Sequence, residues 1–243
     1  MKMINITLPG HEDATLEGYI LDCELTLGQQ SERPAIVICP GGGYLYCSPR
    51  EAEPVALAYA ARGIHAFVLR YSTGRNAKGF APLEEVDWVI KYLRDNSAEW
   101  HIDPNKILTC GFSAGGHVAL AAGVLAENRP NGMVLCYPAT SMPNMPGADM
   151  MLKLLMGRNN VTDEDAAGLE LISKVDKNSP PAFIVSTAED MLHCPLQSDT
   201  AICTLAMNCT YSSTVPTDIL LPPTFRQTAA RRCLTNPMPS GLI

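Results

Sequence analysis

Short, continuous apolar runs alternate with longer segments of helical period along most of the chain. Five such runs occupy residues 35–39, 65–69, 107–111, 133–137 and 182–186. A strand that is buried on both faces of a parallel sheet has this continuous apolar pattern, whereas a half-exposed strand alternates. The pattern therefore predicts an α/β fold: a mostly parallel sheet flanked by helices on both faces.

Segments of helical period lie between these runs, at residues 51–62, 83–94 and 114–126. Residues 103–105 (Asp-Pro-Asn) predict a turn ahead of the run at 107–111. The N-terminal segments 3–8 and 16–21 alternate, which predicts a half-exposed antiparallel edge. Between residues 138 and 180 the rhythm breaks, and two short helices are expected around 149–156 and 162–174. We interpret this segment as a small cap insertion within one domain spanning residues 1–192.

Charge and hydropathy exclude several classes of protein. The chain has 243 residues, with 18 Lys and Arg against 25 Asp and Glu, and its basic residues form no run that could neutralise phosphates. No apolar stretch reaches the roughly 18–20 residues of a membrane span, and the first residues lack the apolar core of a secretory signal. We therefore expect no nucleic-acid partner, no membrane and a cytoplasmic location. Without a Cys-x-x-Cys pair, no metal site is expected either.

The sequence Gly-Phe-Ser-Ala-Gly at residues 111–115 follows a predicted strand and precedes a predicted helix. That context is the one in which G-x-S-x-G forms a nucleophile elbow, with Ser113 exposed on a strained turn. The amide of Ala114, at a helix N-terminus, could then donate to an oxyanion. A glycine-rich turn that only packs a helix on a strand remains the alternative.

A second glycine-rich segment, Pro-Gly-Gly-Gly-Tyr at residues 40–44, follows the first apolar run. Glycines there allow the backbone to approach a ligand closely, and the position suits the second half of an oxyanion hole. A phosphate-binding loop is the rival interpretation. It is disfavoured because the segment has neither Gly-x-Gly-x-x-Gly spacing nor a following Gly-Lys-Ser/Thr.

With these motifs the chain resembles the α/β-hydrolase carboxylesterases of the acetyl-xylan-esterase-like and hormone-sensitive-lipase-like kind. The resemblance covers about residues 34–192 and is carried by five motifs, at residues 40–44, 50–54 (Arg-Glu-Ala-Glu-Pro), 69–72 (Leu-Arg-Tyr-Ser), 111–117 and 186–190 (Ser-Thr-Ala-Glu-Asp). Pro40 stands where lipase relatives have His, as is common in the sugar-esterase branch.

The resemblance implies roles for individual residues. Ser113 is the implied nucleophile, Gly42, Gly43 and Ala114 supply the oxyanion-hole amides, and Asp190 is the triad acid, with a solvated loop carboxylate as the alternative for Asp190. The implied reaction is hydrolysis of a small-molecule carboxylic ester, such as a short acyl group on a sugar, without cofactor or metal. A catalytically inactive hydrolase-fold binding protein and a peptidase of the prolyl-oligopeptidase type are the alternatives, since one fold hosts many functions.

The triad histidine is missing from the expected place. The chain has five histidines, His11, His65, His101, His117 and His193. The chain order of the family requires a histidine after the strand that follows the triad acid, and none lies there. His193 follows Asp190 too closely to come from a separate loop, and His117 is expected to pack or cap on its helix. The chain as written is therefore expected to be an impaired enzyme.

Residues 193–243 form an atypical tail with no Lys and no Glu. We hypothesise that translation from about residue 191 runs in a shifted frame. Dropping two nucleotides from the codons of residues 192–196 permits Ala-Leu-Pro-Val, as follows the triad Asp in this family. The same offset permits Glu-Leu-His-Val-Phe at 207–212 and Gly-Pro-His-Gly-Tyr, like the catalytic-His loop, at 214–219. The last strand and helix are accordingly expected to be missing or abnormal.

Overall fold

A computed structural model describes residues 1–23, 32–140 and 147–186 in full, together with the backbone of residues 209–212. Its strands form one sheet in the order β1-β2-β4-β3-β5-β6-β7-β8. The bounds are β1 (Lys2–Leu8), β2 (His11–Ile20), β3 (Arg33–Cys39), β4 (His65–Arg70), β5 (Ile102–Phe112), β6 (Gly132–Cys136), β7 (Ala182–Val185) and β8 (Cys209–Ser212). From β4 to β8 neighbouring strands are parallel, whereas β1 and β2 form the antiparallel edge, as predicted.

Six α-helices accompany these strands in the described residues: α1 (Glu53–Ala60), α2 (Ala81–Asp95), α3 (Ser97–Trp100), α4 (Ala114–Val124), α5 (Ala148–Met156) and α6 (Asp163–Leu169). Short 3₁₀ turns occur at Pro49–Glu51, Gly74–Phe80 and Ile172–Lys174. Helices α5 and α6 lie between β6 and β7, where two short helices were expected. Within the described parts of the chain, no helix is long and apolar enough to cross a membrane.

The predicted turn ahead of β5 is a bulge within that strand. Arg33 on β3 pairs with Ile102, but Ala35 pairs with Ile107, so β5 contains extra residues at this point. Asn105 donates its main-chain N–H to Asp103 Oδ1 at 2.9 Å, which is the local bond of an Asx turn. The turn at residues 103–105 was therefore correctly predicted. Because β5 pairs with β3 both before and after this turn, the strand includes it.

The sheet is buried on both faces. In β3, Ala35, Val37 and Cys39 pack on the side of α2 and α4, whereas Ile36 and Ile38 pack on the side of α1. All five side chains have no exposed surface. This alternation explains why the strands are continuously apolar, because every position faces a helix layer on one side or the other.

The end of the sheet corrects one expectation. We expected the last strand to be missing or abnormal. It is not missing, since β8 pairs in parallel with β7, from Ala182 opposite Cys209 to Val185 opposite Ser212. Strand pairing uses main-chain groups, so an extended segment can add to the open edge of β7 whatever its side chains. The helix that was expected to be missing or abnormal would lie beyond β8, outside the described residues.

Helix α4 lies closer to the sheet than a side chain would allow. A Cβ atom at Gly115 would lie 2.0 Å from the Cys39 carbonyl oxygen and 2.4 Å from the Pro40 carbonyl oxygen. A Cβ at Gly111 would lie 2.1 Å from the carbonyl oxygen of Gly115. The ends of β3 and β5 and the first turn of α4 therefore meet backbone to backbone, which fixes where α4 begins.

Alanine substitution should separate this close approach from ordinary helix propensity. Gly115→Ala is expected to lower the free energy of unfolding by at least about 2 kcal/mol, because its methyl group has no room. Gly168→Ala in α6 is the matched control, since a Cβ there meets nothing within 4 Å. It should raise the free energy of unfolding by up to about 1 kcal/mol. Denaturant unfolding of both variants is the measurement, and changes of the same sign would contradict the close approach.

A buried histidine connects α4 with the segment between β6 and β7. His117 has no exposed surface. Its Nε2 lies 2.9 Å from the carbonyl oxygen of Leu169 at the end of α6, and its Nδ1 lies 2.7 Å from the Tyr44 hydroxyl. A carbonyl can only accept, so Nε2 carries the proton and the Tyr44 O–H donates to Nδ1. Burial lowers the pKa of His117 from 6.5 to about 4, and the neutral ring is the stable form.

This arrangement predicts a loss of stability in acid. The folded state disfavours the proton on His117, so the neutral ring makes its full contribution to the free energy of unfolding above pH 6.5. That contribution is lost as the pH falls through about 4. The total change is about 3 kcal/mol. Denaturant unfolding of wild type and His117→Gln between pH 7 and 4 isolates this contribution, since carboxylates titrate alike in both. Equal pH slopes, or an imidazole that titrates near 6.5 by NMR, would contradict it.

Candidate active site

Ser113 occupies the bend between β5 and α4. Its φ of 52° and ψ of −116° lie outside the regions that residues with a side chain ordinarily adopt. Three main-chain bonds hold this conformation. Ser113 N–H donates to the Cys136 carbonyl at 3.0 Å, and the Ser113 carbonyl accepts from His117 N–H at 3.1 Å and Ala139 N–H at 3.0 Å. A strained serine between a strand and a helix has the geometry of a nucleophile elbow.

The glycine-rich segment after β3 lies against this bend. A Cβ at Gly41 would lie 3.2 Å from the Cβ of Ser113, which places the two backbones in contact. Gly42 has a φ of 137°, and a Cβ there would lie 2.0 Å from the Tyr46 carbonyl oxygen. Gly43 has a φ of 62°. Residues 41–43 are called the glycine loop below. Gly41 needs glycine for close approach, Gly43 favours it for its positive φ, and Gly42 needs it for both reasons.

Hydrogen bonds set the orientation of the peptide groups in the glycine loop. The Gly41 carbonyl accepts from Ser48 N–H at 2.8 Å, and the Gly42 carbonyl accepts from Leu45 N–H at 3.0 Å. In a trans peptide the N–H points opposite to the preceding carbonyl. The N–H groups of Gly42 and Gly43 therefore point away from these two partners, and both residues are partly exposed.

Ala114 is the first residue of α4. Its N–H has no acceptor within the helix, and the helix dipole adds a partial positive charge at this end. Of the predicted site residues, the structure thus brings Ser113, Ala114, Gly42 and Gly43 to the carboxyl ends of β3 and β5. Within the described residues, the N–H groups of Gly42, Gly43 and Ala114 donate to no main-chain carbonyl. N–H groups available beside a serine are what stabilisation of a tetrahedral oxyanion requires.

Two buried tyrosines form hydrogen bonds next to the glycine loop. Tyr71 donates its O–H to the Pro40 carbonyl at 2.6 Å, and Tyr44, whose φ is 60°, donates to His117. Their ring centroids lie 5.8 Å apart. Burial raises the pKa of both hydroxyls well above the ordinary value, so both remain donors. His117 is a packing residue with both ring nitrogens engaged, as expected from the sequence.

The other described histidines lie elsewhere. His65 is fully buried at the start of β4, and its Nδ1 accepts from Leu21 N–H at 3.0 Å. His101 directly precedes β5, at the opposite end of that strand from Ser113. His11 begins β2, and its Nδ1 lies 3.2 Å from Glu85 Oε1.

Sequence reasoning missed two residues beside the glycine loop. Glu51 accepts the Gly41 N–H on Oε2 at 2.8 Å and the Tyr137 O–H on Oε1 at 2.6 Å. Burial and the Glu51 carboxylate raise the pKa of Tyr137, so its hydroxyl stays protonated. Two features of the sequence could have identified them: Glu51 belongs to the motif at residues 50–54, and Tyr137 directly follows the strand β6.

The proposed triad acid, Asp190, lies outside the described residues, as does His193. The structure therefore places four of the five predicted site residues. In the described parts of the chain, no cluster of three or more His, Cys, Asp or Glu residues could hold a metal ion.

The chain is similar to known esterases and xylan-degrading enzymes. Residues 21–204 match the BD-FAE family model. Endo-1,4-beta-xylanase B of Butyrivibrio fibrisolvens is 33% identical over 175 residues, which are 65% of this chain and 27% of that protein. Acetylxylan esterase of Xylanibacter ruminicola is 29% identical over 163 residues, 65% of this chain and 34% of that protein. The chain thus spans about a third or less of the length of these two relatives.

Two solved structures match over most of their length. An alpha/beta hydrolase enzyme from a Medee basin deep-sea metagenome library is 32% identical, with a TM-score of 0.68 and 96% of each chain covered. The acetyl ester-xyloside bifunctional hydrolase of Caldicellulosiruptor lactoaceticus is 28% identical, with a TM-score of 0.74, covering 86% of this chain and 84% of that one. Because the family match includes most of the sheet, the elbow and the glycine loop, this chain belongs to the BD-FAE family and has the α/β-hydrolase fold of its carboxylesterase relatives.

Proposed function

We propose that the chain is a serine carboxylic-ester hydrolase of the sugar-acetyl-esterase type. The observation that carries this proposal is the strained Ser113 in backbone contact with the glycine loop. A turn that served only to pack α4 would need the small residues at 111 and 115, and glycine at position 113 would make the same bend without strain. Packing alone therefore does not require the hydroxyl group of Ser113.

The proposed reaction has two steps. Ser113 Oγ attacks the ester carbonyl carbon, and its proton passes to the leaving alcohol as the acyl–oxygen bond breaks. Water then attacks the acyl-enzyme, releasing the carboxylic acid and returning the proton to Ser113. In both steps the N–H groups of Gly42, Gly43 and Ala114 hold the oxyanion. One such donor typically contributes about 10²–10³ in kcat.

The proposed substrate is an acetyl or similar short acyl ester of a sugar. Support comes from relatives named as an acetylxylan esterase and an acetyl ester-xyloside hydrolase. Asp190 is the proposed triad acid, in the position that follows β7 in the chain order Ser, Asp, His. A ligand-binding protein on the same fold is the second candidate, favoured by the absence of any His after position 193.

The shifted-frame hypothesis would explain why the triad histidine is missing. A histidine in the loop after the last strand would take the proton from Ser113 and be oriented by Asp190. Strand β8 (Cys209–Ser212) lies where the shifted frame permits a strand-like alternation at 207–212. The frame-shifted Gly-Pro-His-Gly-Tyr at 214–219 would follow β8 in the sequence, as the histidine loop follows the last strand in the family's chain order.

Turnover of p-nitrophenyl acetate tests the role of Ser113. Wild type should hydrolyse the ester faster than Ser113→Ala, although slowly because the triad base is absent. Ser173→Ala, at an exposed serine in the 3₁₀ turn Ile172–Lys174, is the matched control and should equal wild type. Identical rates for wild type and Ser113→Ala would reject the enzyme function for this chain and favour the binding protein.

Restoring the reading frame tests the cause of the impairment. A gene in which the frame is shifted from about codon 191 should encode a chain with kcat raised by up to about 10⁶-fold, as triad knockouts imply. The gain should disappear when Ser113 or the restored histidine is replaced by Ala. No gain in a folded restored chain, or the same tail encoded in an open frame in several isolates, would defeat the hypothesis.

A further inference from the structure

We propose that Glu51 is a positioning residue that orients the oxyanion-binding face of the glycine loop through the Gly41 amide, with Tyr137 as its anchor. This inference rests on the proposed function, since it assigns the glycine loop its role in oxyanion binding. It adds a residue from the 3₁₀ turn Pro49–Glu51, which follows the loop in sequence, to the machinery around Ser113.

Each carboxylate oxygen of Glu51 accepts one hydrogen bond. Gly41 N–H donates to Oε2 at 2.8 Å, and Tyr137 O–H donates to Oε1 at 2.6 Å. Hydrogen bonds to an ionised acceptor are about twice as strong as neutral ones. Glu51 therefore links the loop after β3 to the residue after β6, on the two sides of β5, which ends directly before Ser113.

The peptide group between Pro40 and Gly41 is held at both ends. Its carbonyl accepts from the Tyr71 hydroxyl at 2.6 Å, and its N–H donates to Glu51. The next carbonyl, that of Gly41, accepts from Ser48. Glycine has an unusually wide range of backbone angles, so a loop of three glycines keeps one orientation only where such contacts impose it. Without Glu51, the first peptide plane keeps only its bond to Tyr71 and is less constrained, and a tilt of this plane would displace the Gly42 N–H that follows it.

Contact with Ser113 makes this orientation matter for catalysis. The ideal Cβ position of Gly41 lies 2.8 Å from Glu51 Oε2 and 3.2 Å from Ser113 Cβ, so the carboxylate and the serine flank the same glycine. A negative charge near a developing oxyanion is unfavourable. We therefore assign Glu51 a role through its two hydrogen bonds and not through its charge.

Substitutions at Glu51 test this assignment. Glu51→Ala removes both acceptors and should lower kcat by about 10²-fold with little change in KM, comparable to loss of one oxyanion donor. Glu51→Gln retains an acceptor for Gly41 N–H and a polar partner for Tyr137, so it should restore kcat to within about tenfold of wild type. Glu53→Ala, at an exposed carboxylate two residues further, is the matched control and should leave kcat unchanged.

An NMR measurement reports the same contact without turnover. The Gly41 amide proton, deshielded by the carboxylate, should move upfield in Glu51→Ala and stay near its wild-type position in Glu53→Ala. A folded Glu51→Ala with unchanged kcat and an unchanged Gly41 resonance would overturn the assignment. So would a Glu51→Gln variant as slow as Glu51→Ala with the Gly41 contact intact, because charge would then be the requirement.

The two proposals fail in different ways. If Ser113→Ala has the same turnover as wild type, the esterase function fails and the assignment to oxyanion binding is overturned with it, even where the Gly41 resonance shows the Glu51 contact. If turnover depends on Ser113 but neither kcat nor the Gly41 resonance responds to Glu51→Ala, the function stands and the positioning role is overturned.

Discussion

The close backbone approach of α4 to the ends of β3 and β5 is the constraint on which the candidate site depends. The backbone of Gly115 lies so close to the Cys39 carbonyl that no methyl group fits between them. Because α4 packs this closely on the end of β3, it begins directly after the bend at Ser113. Ser113 is the residue that absorbs the change of direction, and its strained conformation follows from the absence of room for a longer turn. The same approach brings the start of α4 beside the glycine loop. Folding and the candidate chemistry therefore share one set of contacts.

A second set of hydrogen bonds surrounds the glycine loop, with Tyr44 and Tyr71 buried and Tyr137 partly exposed. Tyr44, Tyr71 and Tyr137 each donate a hydroxyl proton to a fixed acceptor around the loop. Burial raises the pKa of all three hydroxyls, so these contacts persist across the range in which a hydrolase works. The loop is thus preorganised, and preorganised donors stabilise an oxyanion without reorganising during the reaction.

The end of the chain contrasts with this preorganised core. Strand β8 pairs with β7 through its backbone, while residues 194–243 contain no histidine to act on Ser113. A binding or oxyanion-holding site can exist without that base, whereas efficient acyl transfer cannot. The proposed impairment therefore concerns proton transfer and leaves the geometry of the oxyanion-binding groups unaffected.

The sequence by itself determined the buried strands, the antiparallel edge, the elbow at Ser113 and the glycine loop, because apolar periodicity and glycine placement are local signals. It also indicated that His117 packs instead of catalysing. Only the tertiary structure decided that Tyr137 donates to the carboxylate that holds Gly41, since 86 positions separate Glu51 and Tyr137 in the chain. It also decided that the tail supplies β8, because strand addition depends on an open main-chain edge and not on side-chain pattern. Long-range contacts and edge pairing leave no local signature, which is why the sequence did not reveal them.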